Sequence, residues 1–147
     1  MKIKKILFPT DFSEAAEIAF QYALFLADSH EAELTLLHVV DQLHGYTQYE
    51  IVALTPKEIV EGMVKRAHEK LQALVKRAED TVTAKEIVRE GKSWDAICNA
   101  ATEVNADIIV MASQGRTGLS HALIGSVAET VVRHASCPVL VVRNPKE

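Results

Sequence analysis

Two short stretches of this 147-residue chain hold residue types whose spacing can do chemistry. The first runs from Ala112 to Ser126 and holds Gly115, Gly118, Gly125, four hydroxyl side chains and Arg116. Glycines let a backbone approach a ligand closely or turn through positive φ. Gly125-Ser126 opens an apolar-periodic segment, and free N–H groups at a helix start favour an anion. Ser126 adds a hydroxyl donor, and the planar fork of Arg116 suits phosphate oxygens. A structural reading stands beside this one: Gly115 and Gly118 shape a turn and Ser126 caps a helix. The residues alone leave both open, because Gly-rich loops are common. The second stretch is Pro9-Thr10-Asp11-Phe12-Ser13. Asp11 can accept hydrogen bonds from ribose-type hydroxyls, as acidic residues do in dinucleotide-binding folds. Its chemistry alone favours the plainer role of a turn residue beside a helix start.

Other reactive side chains form no recognisable constellation. Cys98 and Cys137 lack metal-ligand or C-x-x-C spacing. His30, His44, His68 and His134 lack metal spacing to one another, His121 reads as surface, and His38 reads as a core or rim residue. Trp94 reads as a packing residue. No G-x-x-x-x-G-K-[ST] string occurs, nor the S-G-G-x-D-S or H-I-G-H loops of adenylating enzymes. A phosphoacceptor receiver would want a lysine in the last strand, where Val139-Leu140-Val141-Val142 stands.

The elements that must position these stretches alternate in type. Ile6-Leu7-Phe8 reads as a buried strand stopped by Pro9. Ser13 is placed to cap a helix running to about Ser29, with Glu14 and Glu17 in its first turn. Ala15, Ile18, Ala19, Tyr22, Phe25 and Leu26 recur at helical spacing and predict its buried face. Leu34 to Val40 reads as a second strand. No period holds from Asp41 to Leu54, so this is a loop, expected to order over a bound ligand. Thr55-Pro56-Lys57-Glu58 is a capping box before a helix to about Asp80. Val82 to Glu90 predicts a third strand and Ser93 the cap of a short helix. Asp107 to Met111 predicts a fourth strand, Gly125-Ser126 opens the last helix, and Val139 to Val142 is the fifth strand. Apolar strands alternating with amphipathic helices mean a parallel sheet covered on both faces. Ligands in such sheets sit beyond the carboxyl ends of the strands, where both chemical stretches fall.

Composition narrows the partners. Hydrophobic residues make up 48% of the chain and charged residues 24%, with a net charge of −4. That suits one globular domain over residues 1–147. No basic stripe stands out, so nucleic acid is not an expected partner. The apolar run after Met1-Lys2-Ile3-Lys4-Lys5 is too short for a secretory signal, and no stretch could span a membrane. The cytoplasm is the expected compartment.

At this point the chain resembles the universal stress protein family. The likeness begins with K-K-I-L-F-P-T-D-F-S-E-A-A, continues through L-L-H-V-V-D, and ends with D-I-I-V-M-A-S-Q-G-R-T-G-L-S-H-A-L-I-G-S-V-A-E-T-V-V-R-H-A-S-C-P-V-L-V-V. It implies an open five-stranded parallel sheet of order 3-2-1-4-5 with helices on both faces. It also implies the ATP-binding motif G-x2-G-x9-G-S/T, met here by Gly115 and Gly125-Ser126, with Ala112 in place of the first glycine. A methyl there crowds a phosphate or is harmless where the local φ is negative. By the same resemblance Pro9, Thr10 and Asp11 border the adenosine. Val39 and Met111 contact the base and sugar, Arg116 lies near the phosphates, and Val127 is a further nucleotide-binding candidate.

The implied ligand is ATP, with ADP or AMP as alternatives and Mg²⁺ held mainly by the phosphates. The expected role is a nucleotide-binding regulatory module of the stress response with little or no catalysis. A slow ATP-hydrolysing enzyme, or a member that acts through its dimer without nucleotide, are the alternatives. The resemblance also points to dimers. An uncharged Val139–Val142 edge would be satisfied by pairing with a second copy.

Overall fold

A computed structural model of the chain describes residues 1–41, 56–115 and 124–146. Nine elements follow in order: β1 (Lys5–Pro9), α1 (Glu14–His30), β2 (Glu33–Val40), α2 (Pro56–Glu79), β3 (Ala84–Glu90), α3 (Ser93–Glu103), β4 (Ile108–Ala112), α4 (Ser126–His134) and β5 (Val139–Val142). The strands form one sheet of order β3-β2-β1-β4-β5, every neighbour parallel.

Side chains alternate across this sheet, so each strand feeds two cores. Ile6, Phe8, Leu34, Leu36 and Val110 pack with α1 and α2 on one face. Leu7, Leu37, Ile109 and Met111 pack with α3 and α4 on the other. Ile6, Leu7 and Phe8 are fully buried, as a central strand covered on both faces requires.

Ser13 caps α1 as its position predicts, its side chain accepting from the Ala16 N–H at 3.2 Å. The buried face of that helix differs from the predicted one. Ala16, Ala19, Phe20, Ala23 and Ala27 face the sheet, while Tyr22 and Phe25 are 52% and 68% exposed. The helix is apolar nearly all round, so periodicity alone does not choose its inner side. A stripe of alanines lets the helix lie close to the sheet, with Phe20 tucked against Phe8 at a ring separation of 5.5 Å.

Two boundaries also shift. The third strand starts at Ala84, and Val82 belongs to the turn before it, its N–H bonded to the Ala78 carbonyl. Lys92, in extended conformation, holds the cap position of α3 without a side-chain bond, and Ser93 is already helical. The helix α2 begins at Pro56, as the capping box predicts, but Thr55 lies outside the described residues. So does the predicted ordering loop after Asp41.

The β1–β4 pair joins segments about a hundred residues apart, and Asp107 pins its amino end. One carboxylate oxygen accepts from the N–H groups of Lys4 and Lys5, at 2.8 and 2.9 Å. The Asp107 N–H donates in turn to the Lys5 carbonyl. The two backbone bonds hold the Asp107 carboxyl below its ordinary pKa. A lowered folded-state pKa contributes stability above the unfolded value, and that contribution is lost as pH falls through the folded one. Asp107→Asn is therefore expected to destabilise the protein at pH 7 in urea titrations. The gap to wild type should narrow as the carboxylate protonates in acid. A gap independent of pH would contradict this role.

Candidate functional site

The turn from β1 into α1 is written by three side-chain oxygens. Thr10 Oγ1 accepts from the Phe12 N–H at 3.0 Å, Asp11 Oδ1 from the Ser13 N–H at 2.9 Å, and Ser13 Oγ from Ala16. Such local bonds let Asp, Ser and Thr replace backbone pairing in tight turns. Phe12 sits at φ 63°, an uncommon conformation for an aromatic residue, at a cost on the order of 1–3 kcal/mol.

The second loop leaves β4 beside this turn, because β1 and β4 are neighbours. Its base is closed by the Gly125 N–H donating to the Ser113 carbonyl at 2.6 Å. Ser113 N–H continues the sheet to the Val142 carbonyl. A methyl on Gly125 would stand 3.0 Å from that same Ser113 carbonyl oxygen. A methyl on Gly115 would stand 2.7 Å from Asp11 Oδ2. The glycine here gives room to a carboxylate from the other loop; a positive φ is not what requires it.

Pro9, Thr10 and Asp11 from β1, Val39 from β2, Met111 and Ala112 from β4, and Gly115, Gly125, Ser126 and Val127 border one cleft of about 410 Å³. Arg116 lies outside the described residues. Of the ten, Pro9, Thr10 and Met111 are buried, and Gly115, Ser126 and Val127 are exposed. The cap residue Gly125 has no side chain to bond the first turn of α4, so no cap competes there with an outside acceptor. Ala112 ends a regular strand, is not among the described residues of positive φ, and packs against the α1–α2 core. The backbone at Ala112 therefore lies outside the positive-φ region, and the residue also borders the cleft.

The sequence reading missed the wall supplied by α3. Lys92, Ser93, Trp94 and Ile97 border the cleft, and the Trp94 ring lies 4.8 Å from that of His134. Their signal was positional: Gly91, at φ 129°, turns the chain at the carboxyl end of β3, on the side where ligands bind. Ser113, Gln114 and Met63 were missed too. His38, read as a core or rim residue, lies half-buried at the cleft, with Nδ1 2.8 Å from the Thr10 carbonyl. Cys98 and Cys137 lie outside the cleft lining, half-buried against the α3–α4 core, and burial pushes both thiols up in pKa. Among the described residues no group of three His, Cys, Asp or Glu side chains could hold a metal ion. No described helix is long and apolar enough to cross a membrane.

The profile of the universal stress protein family matches residues 2–143. The chain belongs to that family. Universal stress protein MJ0577 of Methanocaldococcus jannaschii is 34% identical, over 95% of this chain and 94% of that one. The solved structure of MJ0577 superposes with a TM-score of 0.87 over the whole of both chains. Universal stress protein UspA of Lactobacillus plantarum, 28% identical, gives 0.83 over 97% of this chain and 99% of that one. Two more distant universal stress proteins share the fold. One, 21% identical, is described in complex with cAMP, and one from Archaeoglobus fulgidus, 23% identical, with dAMP. Their TM-scores are 0.67 and 0.66, over 97% and 96% of this chain and 98% of each of theirs.

The contacts of the two glycines in this universal stress protein differ in kind, so their substitutions should differ in cost. Gly115→Ala displaces only a side chain and endangers one turn bond, a loss of about 0.5–1.5 kcal/mol. That loss should vanish in an Asp11→Ala background, a coupling that a double-mutant cycle in urea detects. Gly125→Ala meets backbone and should cost more than Gly115→Ala. Additive effects of Gly115→Ala and Asp11→Ala would contradict the contact.

Proposed function

We propose that this universal stress protein binds an adenine nucleotide, ATP foremost, in the cleft between the two loops, and turns it over little. The observation that carries the reading is the convergence of Asp11, Gly115 and the uncapped start of α4 on one cleft. The apolar part, with Val39, Met111 and Ile97, suits a base and sugar. The α4 start suits phosphates, whose charge the helix dipole and backbone N–H groups favour. Arg116 and Mg²⁺ complete the phosphate side in this reading, the metal held by the phosphates themselves. Asp11 is engaged with Ser13 and faces Gly115, which suits a binding residue better than a base that activates water. The physiological role is then a regulatory module of the stress response, one domain over 1–147 acting in the cytoplasm.

Calorimetry with ATP and Mg²⁺ tests this. Binding is expected with slow phosphate release, and Ser126→Ala should weaken it by roughly 1.5–3 kcal/mol, the value of one hydrogen bond to a charged group. Ala112→Gly should not tighten binding, since the methyl packs toward the α1–α2 core. No heat at millimolar ATP would overturn the reading, and fast release would favour the enzyme alternative.

The same reading includes a homodimer joined antiparallel through β5. The two sheet edges differ in a way that supports it. β3 carries Lys85, Glu86, Arg89 and Glu90, charges that blunt an edge, while β5 is Val139-Leu140-Val141-Val142. A two-fold axis at β5 would satisfy its open backbone groups. Light scattering should give twice the chain mass, and Val141→Lys should halve it with the helical content unchanged. A wild-type monomer at high micromolar concentration would end the idea.

A further inference from the structure

A second cavity, of about 300 Å³, lies between α1 and α2 on the other side of the β1 turn. Its floor lies over the fully buried Phe8–Phe20 ring pair, and Phe12 and Leu74 line it further out. Two cations stand at its rim. Arg77 is held in a two-armed bond by Glu17 and lies over the Phe20 ring, so its charge is answered. Lys70 lies 5.0 Å above the Phe12 ring, and among the described residues no carboxylate pairs with it. The rim therefore carries one net positive charge beside the Phe12 ring. A small pocket of this size and lining takes a compact apolar body with one polar anchor. The complementary ligand is a small aromatic monocarboxylate: its ring enters against Phe12 and Leu74, and its carboxylate meets the Lys70 ammonium.

The wall between this cavity and the cleft is the β1 turn itself. Thr10 and Ala16 border both spaces. The Phe12 ring lies 4.7 Å from that of His38, and His38 Nδ1 meets the Thr10 carbonyl. Phe12, at positive φ, precedes the Ser13 N–H that holds Asp11. A ligand seated on Phe12 thus bears on the turn that aims Asp11 at Gly115. The geometry points to an effector site: a small aromatic carboxylate binds between α1 and α2 and alters nucleotide affinity in the cleft. The site stands on its own residues; its coupling rests on the nucleotide reading above.

The test uses indole-3-acetate as the probe and indole-3-acetamide as its uncharged counterpart, followed by amide shifts of the full chain. Dose-dependent shifts are expected at Phe12, Ser13, Lys70 and Ala73 at millimolar probe. The amide should bind at least several-fold more weakly, and Lys70→Gln should erase that preference. Ala73→Trp, at an exposed position on the cavity wall, should block binding and keep the fold. ATP affinity at saturating carboxylate should change about fivefold in wild type and not in Ala73→Trp, the lower end of ordinary coupling between sites. No shifts, equal shifts for the two probes, or shifts confined to Trp94 and Met111 in the cleft would overturn the site. Carboxylate bound at the site with unchanged ATP affinity would overturn its effector role. If ATP alone fails to bind, the nucleotide reading and the coupling fall together, while the shift titration still decides the site.

Discussion

The parallel pairing of β1 with β4 underlies every feature of the cleft. β1 also pairs with β2, so the chain fills one side of the sheet with β2 and β3 before returning to the other with β4 and β5. Where order reverses this way, the loops leaving two adjacent strands diverge to opposite faces and leave a crevice. Here one loop goes to α1 and the other to α4, on opposite sides of the sheet. Buried Ile6 and Leu7 face Ile108 and Ile109 in register, with Asp107 locking the far end. A slip of one residue would exchange the two cores and move Asp11 away from Gly115.

Within that frame the two loops hold each other by contact. Asp11 uses one oxygen to shape its own turn and turns the other toward Gly115. Gly125 bonds back to Ser113 and so closes the base of its loop while placing the start of α4 at the cleft. Small residues are needed where backbone and carboxylate approach, and bulk is used elsewhere, as in the Trp94 wall. The strained turn at Phe12 belongs to the same arrangement, since Thr10 Oγ1 and the His38 contact hold it from both sides.

Much of this was legible before any coordinates. The five apolar runs became five strands, the resemblance supplied their order, and ten of the positions singled out from the residues or from the resemblance meet at one cleft. What could not be read depended on tertiary packing. Tyr22 and Phe25 look like core residues at helical spacing, yet the alanine face won because close approach to the sheet favours small side chains. Ser93 looks like a cap, but the turn at Gly91 places Lys92 there. Trp94 packs against the α3–α4 core as read, but nothing local marks it as also facing a crevice made by three other elements. Likewise the reason for Gly115, a carboxylate about a hundred residues away in sequence, appears only when the loops are brought together.

The cleft offers its own reporter, because Trp94 is the sole tryptophan of the chain and lines it. The most direct measurement of the central claim is Trp94 emission during an ATP titration with Mg²⁺, excited beyond the adenine absorbance. An adenine nucleotide seated between the two loops predicts a saturable change that follows the binding isotherm and shifts to higher ATP in Ser126→Ala. Emission that stays flat while calorimetry reports binding would place the nucleotide elsewhere, and contradict the account.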